Sequence, residues 1–152
     1  MKSDLLDKIR TELRHQLGRL SRAAMEAHAA ATDPGSKAEG KYDTRSLEAS
    51  YLAVGQARQV DELAEAVRIF DGLVLMDFGK GERIDAGALV EVVMGGEVSS
   101  FLLVPAAGGL EFFHEGKNVT LLTPTSVLYQ KLVSLGVGDT LEAPPMKVNR
   151  VT

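Results

Sequence analysis

The sequence contains no cysteine and no tryptophan, and aromatic residues make up only 5% of it. The absence of Cys excludes disulfides, thiolate catalysis and zinc–cysteine centres, and fits a reducing, cytoplasmic setting. Apolar runs are short, far below the roughly 20 residues that a membrane-spanning helix needs, so no membrane segment is expected. The start, Met1-Lys2-Ser3-Asp4, is charged and has no signal-peptide core. No sign of charge dominates: 17 Lys/Arg stand against 21 Asp/Glu, a net charge of −4 that argues against gripping a phosphate backbone unaided. What is present is 45% hydrophobic residues in a chain of 152, enough to close a core in one domain or two small ones.

The totals average over two unlike parts. Residues 1–72 hold 11 Lys/Arg and 12 Asp/Glu but only five of the 15 glycines; residues 73–152 hold 6 and 9, with the other ten glycines. That shift reads as helices followed by strands and turns. An apolar seam runs through Leu6, Ile9, Leu13, Leu17, Leu20, Ala24, Ala27 and Ala31 in steps of three and four, the coiled-coil rhythm. Ser3 is the expected N-cap, and Asp33-Pro34-Gly35 the stop. A second seam, Leu47, Tyr51, Val54, Ala57, Val60, Ala64, Val67 and Phe70, follows Asp43-Thr44, either of which can cap it. Two long helices joined by a short loop pack antiparallel to bury their seams, which places residues 33–43 at the tip of a rod. Towards that tip the seam shrinks from Leu to Ala, so the end is expected to be slim and only modestly stable.

Beyond Gly72 the pattern turns to short β-rich runs. Strands are expected at Leu73–Phe78, Ala88–Met94, Val98–Val104, Val119–Leu122, Thr140–Ala143 and Met146–Val151, with Gly95-Gly96 closing a hairpin. Thr123-Pro124-Thr125-Ser126 opens a short helix reaching about Leu135. The second half thus reads as a mainly antiparallel α+β domain with one helix against its sheet.

Little chemistry is evident in this pattern. His15, His28 and His114 are too scattered for a metal pair or a triad and read as surface or interface residues. Asp77-Phe78-Gly79 matches a kinase tripeptide without the accompanying kinase motifs, and Gly136-Val137-Gly138-Asp139 reads as a turn. The tip is more informative. Asp33, Glu39 and Asp43 lie within eleven residues, alongside Lys37, Lys41 and Arg45. Carboxylates on a narrow stalk can supply oxygen ligands to Mg²⁺, with a partner completing the site. A solvated mixed-charge loop containing a helix cap is the alternative.

Several segments together resemble the bacterial Gre-type transcript cleavage factors, over nearly the whole chain. Ile84-Asp85-Ala86-Gly87-Ala88-Leu89-Val90-Glu91-Val92 is similar to the strand that opens their C-terminal domain. Leu122-Thr123-Pro124-Thr125-Ser126 through Leu132, then Val137-Gly138-Asp139-Thr140-Leu141, resembles their Ser-Pro segment, short helix and Gly-Asp strand. Ser36-Lys37-Ala38-Glu39-Gly40-Lys41-Tyr42 resembles the hairpin tip. The resemblance implies an N-terminal antiparallel coiled-coil hairpin over residues 1–72 and a C-terminal FKBP-like antiparallel β-sheet domain with one short helix over residues 73–152.

The resemblance also implies a partner, bacterial RNA polymerase, with RNA met only inside that complex. The hairpin would enter the secondary channel, and Glu39 would hold a Mg²⁺ shared with the polymerase active site. Asp33 would be its metal-binding partner, and Asp43 an alternative catalytic carboxylate or merely a cap. Thr123 and Pro124 would contact polymerase. The chain would have no independent activity. It departs from the family where Asp33 and Glu39 stand six apart around Pro34-Gly35, instead of an Asp followed after two residues by Glu-Asn, and where Ser134 replaces a usual Gly. A channel-binding regulator without cleavage, an FKBP-like peptide-binding or chaperone module, and a rod dimerising through Leu6–Leu20 are the competing readings. Seams paired within one chain make it a monomer.

Overall fold

A computed structural model describes residues 1–32 and 45–152, with side chains outside 31–52. Two long helices, α1 (Lys2–Thr32) and α2 (Arg45–Gly72), form the hairpin region. At 1.5 Å per residue, the 31 residues of α1 span about 46 Å. The helix begins at Lys2, because the Met1 carbonyl accepts from Asp4 N at 3.1 Å and Leu5 N at 3.3 Å. Ser3 therefore lies inside the first turn and is not its cap, while Asp4 sits where the helix dipole favours a negative charge. Asp43 and Thr44, the expected caps of α2, lie outside the described residues.

The described chain divides into two compact units, Arg10–Arg68 on one hand and Met1–Ile9 with Ile69–Thr152 on the other. The sequence division at residue 72 thus differs from these units, since the first nine residues and the end of α2 group with the strands. Along α1 the seam is buried at Leu6, Ile9 and Leu13 and only half-buried at Leu17, Leu20, Ala24 and Ala27. Within the helical unit, Ala24, Ala29, Ala53 and Ala57 border a shallow apolar groove. Val54, a seam position by spacing, is consequently 62% exposed. Methyl side chains are too short to cover it.

Past α2 come β1 (Leu89–Met94), β2 (Glu97–Leu103), β3 (Glu111–His114), β4 (Lys117–Leu122), α3 (Val127–Leu132), β5 (Thr140–Glu142) and β6 (Pro145–Val151). They form one six-stranded sheet in the order β3-β4-β2-β1-β6-β5. The architecture is the expected helical hairpin region followed by a sheet with one short helix, but the sheet is mixed. The pair β2–β4 is parallel, from Ser100 opposite Val119 to Leu103 opposite Leu122. The reason is β3, which sequence reading missed: the β3–β4 hairpin brings β4 back along β2 in the same direction. Its turn is Glu115-Gly116, with φ of 50° and 77°. Gly95-Gly96, with φ of 59° and 80°, closes β1–β2 in the same positive-φ manner, as expected.

The segment Leu73–Phe78 alternates in exposure but pairs with no strand. Its Met76 carbonyl accepts instead from Lys2 Nζ at 2.7 Å. That ammonium also donates to the Thr152 carbonyl at 3.0 Å and lies 5.2 Å from the centre of the Phe78 ring. Lys2 is 7% exposed, and burial pushes its pKa below the ordinary value, partly opposed by the charge of Asp77. Lys8 Nζ donates to the Phe113 carbonyl at 3.0 Å, so two lysines tie the start of α1 to the strand unit. Leu5, Ile9 and Phe70 in that unit are fully buried.

Successive strand residues point to opposite faces. On one face Val90, Val92, Leu103, Leu122, Met146 and Val148 join Leu132 of α3 in a core, with Phe78, Phe101 and Tyr129 packed against it. The other face buries Leu102, Val119 and Leu121 and carries Glu91. The Glu91 carboxylate accepts from Lys117 Nζ and, at 2.7 Å, from Asn149 Nδ2. Those two bonds, Lys117 first, hold its pKa below the ordinary 4.5. A lowered pKa means that the folded state binds the proton less readily than the unfolded one. The stabilisation is therefore present above the unfolded value and is lost as pH falls through the folded one. Glu91→Gln is expected to lower Tm at neutral pH, and the gap to wild type should close as pH falls past the ordinary 4.5 and through the lowered folded-state value, as read by thermal melts across pH.

After α3, Ser134 takes φ of 76°. It is held there by Ser134 N donating to the Ile84 carbonyl and Ile84 N to the Leu135 carbonyl, both at 2.8 Å. A Cβ in left-handed backbone costs energy that glycine does not. Ser134 is exposed, so little packing is at stake. Ser134→Gly should raise unfolding stability by about 0.5–1 kcal/mol, measured in urea.

Candidate functional site

Sequence reading points to two places, the hairpin tip and the Thr123-Pro124 segment. Asp33, Glu39 and Asp43 lie outside the described residues. Among the described residues, no group of three or more His, Asp or Glu side chains could hold a metal ion. No helix among them is long and apolar enough to cross a membrane.

Thr123 and Pro124 follow the last residue of β4. Leu122 is still tied in, its carbonyl accepting from Val104 N at 2.8 Å. Pro124 has no N–H to continue a ladder, so the chain turns. The Thr123 carbonyl accepts from Ser126 N at 2.9 Å. Ser126 is the N-cap of α3: its side chain accepts from Tyr129 N at 3.4 Å, in extended backbone with φ −74° and ψ 132°. Gln130 Nε2 donates to the Pro124 carbonyl at 2.9 Å, closing the turn onto the helix. The helix ends at Leu132, short of the expected Leu135, because the backbone turns outward at Val133 and Ser134.

The result is a small rigid knuckle. Pro124, Thr125 and Val127 are exposed on it, Val127 at 65%. The Thr123 and Thr125 hydroxyls lie 3.1 Å apart. Beside them a shallow recess of about 380 Å³ is bordered by Gly108, Gly109, Thr123, Thr125 and Ser126. An exposed proline, an exposed valine and a hydroxyl pair on fixed backbone are suited to contacting a protein surface. They offer no nucleophile–base pair and no cation. Sequence reasoning missed Gly108, whose role is steric. A Cβ there would lie 2.9 Å from Thr123 Oγ1 and 3.0 Å from its Cγ2.

The aromatic residues of the second half do not gather around one cleft. Phe78, Phe101 and Tyr129 pack against the core. Phe112 is buried, and its neighbour Phe113 is 67% exposed. His15 and His28 are exposed, as expected of surface residues. His114 is only 5% exposed, which corrects its reading as a surface residue; it lies on the inward side of β3, the strand that the sequence did not reveal.

Gly108→Ala is expected to push the β-branched Thr123 off its position and cost about 1–3 kcal/mol of stability. Urea unfolding measures the loss. A stability equal to wild type would mean that the Gly108 loop yields without disturbing Thr123.

No family model matches the chain, and no curated protein matches it. Among solved structures it is similar to the GreA factor homolog 1 (Gfh1) protein of Thermus thermophilus, with 22% identity over 94% of each chain and a TM-score of 0.37. It is also similar to Gfh1 of Thermus aquaticus, with 21% identity over 93% of this chain and 92% of that one, again at 0.37. A structure of the transcription factor Gfh1 gives 22% identity over the same shares and a TM-score of 0.38.

Proposed function

We propose that this chain is a Gre-like, RNA polymerase-binding transcription elongation factor, monomeric and cytoplasmic, which meets RNA only within the polymerase complex. Its hairpin enters the secondary channel while the strand domain docks through Thr123 and Pro124. At the tip Glu39, with Asp33 and with Asp43 as the alternative carboxylate, faces the polymerase active site. Glu39 and Asp33 would hold a Mg²⁺ shared with the polymerase, which would supply the activation of the attacking water, while the polymerase contributes the remaining ligands and cleaves the backtracked RNA. The chain stimulates that reaction and has no activity of its own.

What supports this reading is one coincidence between sequence and architecture. The two apolar seams lie in α1 and α2, where the resemblance implies a helical hairpin. The Ile84–Val92 segment runs from buried Ile84 into β1, and Thr123–Leu132 forms the capped turn and α3. Val137–Leu141 makes the turn into β5, with Gly136 N donating to Asp139 Oδ2 at 2.8 Å. Three of the four resembling segments thus fall, in order, on the lead into β1, the capped turn with α3 and the turn into β5, while Ser36–Tyr42 lies outside the described residues. The wide Asp33–Glu39 spacing favours a second reading, a channel-binding regulator that docks without promoting cleavage.

The test uses stalled, backtracked polymerase complexes, with binding and RNA shortening measured separately. Thr123→Arg or Pro124→Arg should weaken co-elution with core polymerase by about tenfold, without unfolding the chain. Wild type should shorten the RNA, and Glu39→Ala and Asp33→Ala should lose that effect while still binding. Binding without shortening would sink the cleavage reading and leave the regulator. No binding to polymerase at all would overturn both.

A further inference from the structure

We propose that a cavity on the face of the sheet opposite α3 binds a small oxyanion, a carboxylate or a phosphate group, through Arg150, His114 and Ser100. This inference is independent of the polymerase reading and uses none of its residues. The cavity has a volume of about 250 Å³, well above the roughly 30 Å³ occupied by one water. A single ordered water therefore cannot fill it.

The register builds the site. Arg150 of β6 stands opposite Glu91 of β1, Glu91 opposite Ser100 of β2, and Ser100 opposite Val119 of β4. One row thus crosses four strands. Next to it, His114 of β3 stands opposite Lys117 of β4. All of these residues line the cavity. They are absent from the core beneath α3, which places the cavity on the other face.

Three features point to an anion. First, His114 and Ser100 are each only 5% exposed, yet both border this space. His114 Nδ1 is buried with no hydrogen-bond partner, and Nε2 comes no closer than 3.7 Å to Glu115 Oε1. With Nε2 facing the Glu115 carboxylate, Nδ1 is the nitrogen left to meet a ligand, and leaving it unmatched is costly. Second, the carboxylates are already taken. Glu91 accepts from Lys117 and Asn149, and Glu115 from the Met1 amine. Third, Arg150 acts through its charge on both Glu91 and Glu115, yet among the described residues it is in no ion pair within 4 Å, so its guanidinium N–H groups remain for a ligand. Its planar fork matches the two oxygens of a carboxylate or phosphate. An apolar wall of Leu89 and Val119 would take the rest of a small molecule.

The experiment follows the histidine ring signals by NMR in the full chain, at fixed pH and ionic strength. Inorganic phosphate is titrated in one arm and succinate in the other. Exposed His15 and His28 serve as internal controls. His114 should shift saturably in at least one arm while the controls do not, and the arm that saturates identifies phosphate or carboxylate. Arg150→Gln should weaken that binding by about tenfold or more. Ser100→Ala, with a smaller loss, serves if the first variant fails to fold. Equal, non-saturating drift of all three histidines in both arms would overturn the proposal. So would wild-type affinity in the folded variants.

Discussion

The Lys2 ammonium is where three chain-distant segments meet, and the strand unit depends on that meeting. Its hydrogen bonds reach the connection after α2, through the Met76 carbonyl, and the end of the last strand, through the Thr152 carbonyl. The Phe78 ring lies against it. A charge this buried is tolerated only when its donors are used, and here two carbonyls and an aromatic face use them. The cost remains visible in a pKa pushed down by burial. Because Leu5 and Ile9 are buried in the same unit, residues that the pattern assigns to a rod also complete the domain made of strands. The central sheet needs cover on both faces, and α3, only six residues long, supplies it on one.

How far the fold was legible follows from the same point. Helical seams with long uninterrupted spacing were readable, since periodicity is a local property that tertiary packing rarely reverses. The Gly95-Gly96 hairpin and the turn into α3 were readable because each carries residues whose backbone preference is specific. Strand β3 escaped because it is four residues long and its turn places Glu115, not a glycine, at the first positive φ. Missing β3 concealed two further facts, the parallel β2–β4 pair and the burial of His114. Leu73–Phe78 failed in the opposite direction. It has the composition of a strand, but its Met76 carbonyl bonds to a lysine ammonium at the far end of the sequence. Which backbone groups find a ladder partner is a long-range outcome that composition cannot report.

The candidate sites divide along the same line. As a turn, Thr123-Pro124 was legible because a β-branched residue followed by proline ends a strand and starts a turn in most contexts; as a contact surface it rests on the resemblance alone. Gly108, which leaves room for Thr123, was not. A close approach between residues fifteen apart leaves no mark on local pattern. The Arg150–Glu91–Ser100 row was equally hidden, because it exists only once the strand order and register are set.

The two proposed sites on the strand domain would use opposite faces of one sheet. The Thr123–Val127 knuckle leads into α3, which packs on the Val90, Val92 and Leu103 side. The Arg150 cavity lies on the Glu91 and Ser100 side. A small molecule in the cavity therefore stands in no position to block a protein seated on the knuckle. Any influence of one on the other has to pass through the sheet. The shortest connection is β4, which contributes Lys117 and Val119 to the cavity and ends at Leu122, immediately before Thr123. A shift of β4 along its neighbours would have to break its ladder with β3 on one edge and β2 on the other. Central strands resist such slippage because moving by one residue turns every buried side chain to the wrong face. The physical expectation is two sites that are occupied independently, with cavity and knuckle sharing a scaffold that couples them weakly.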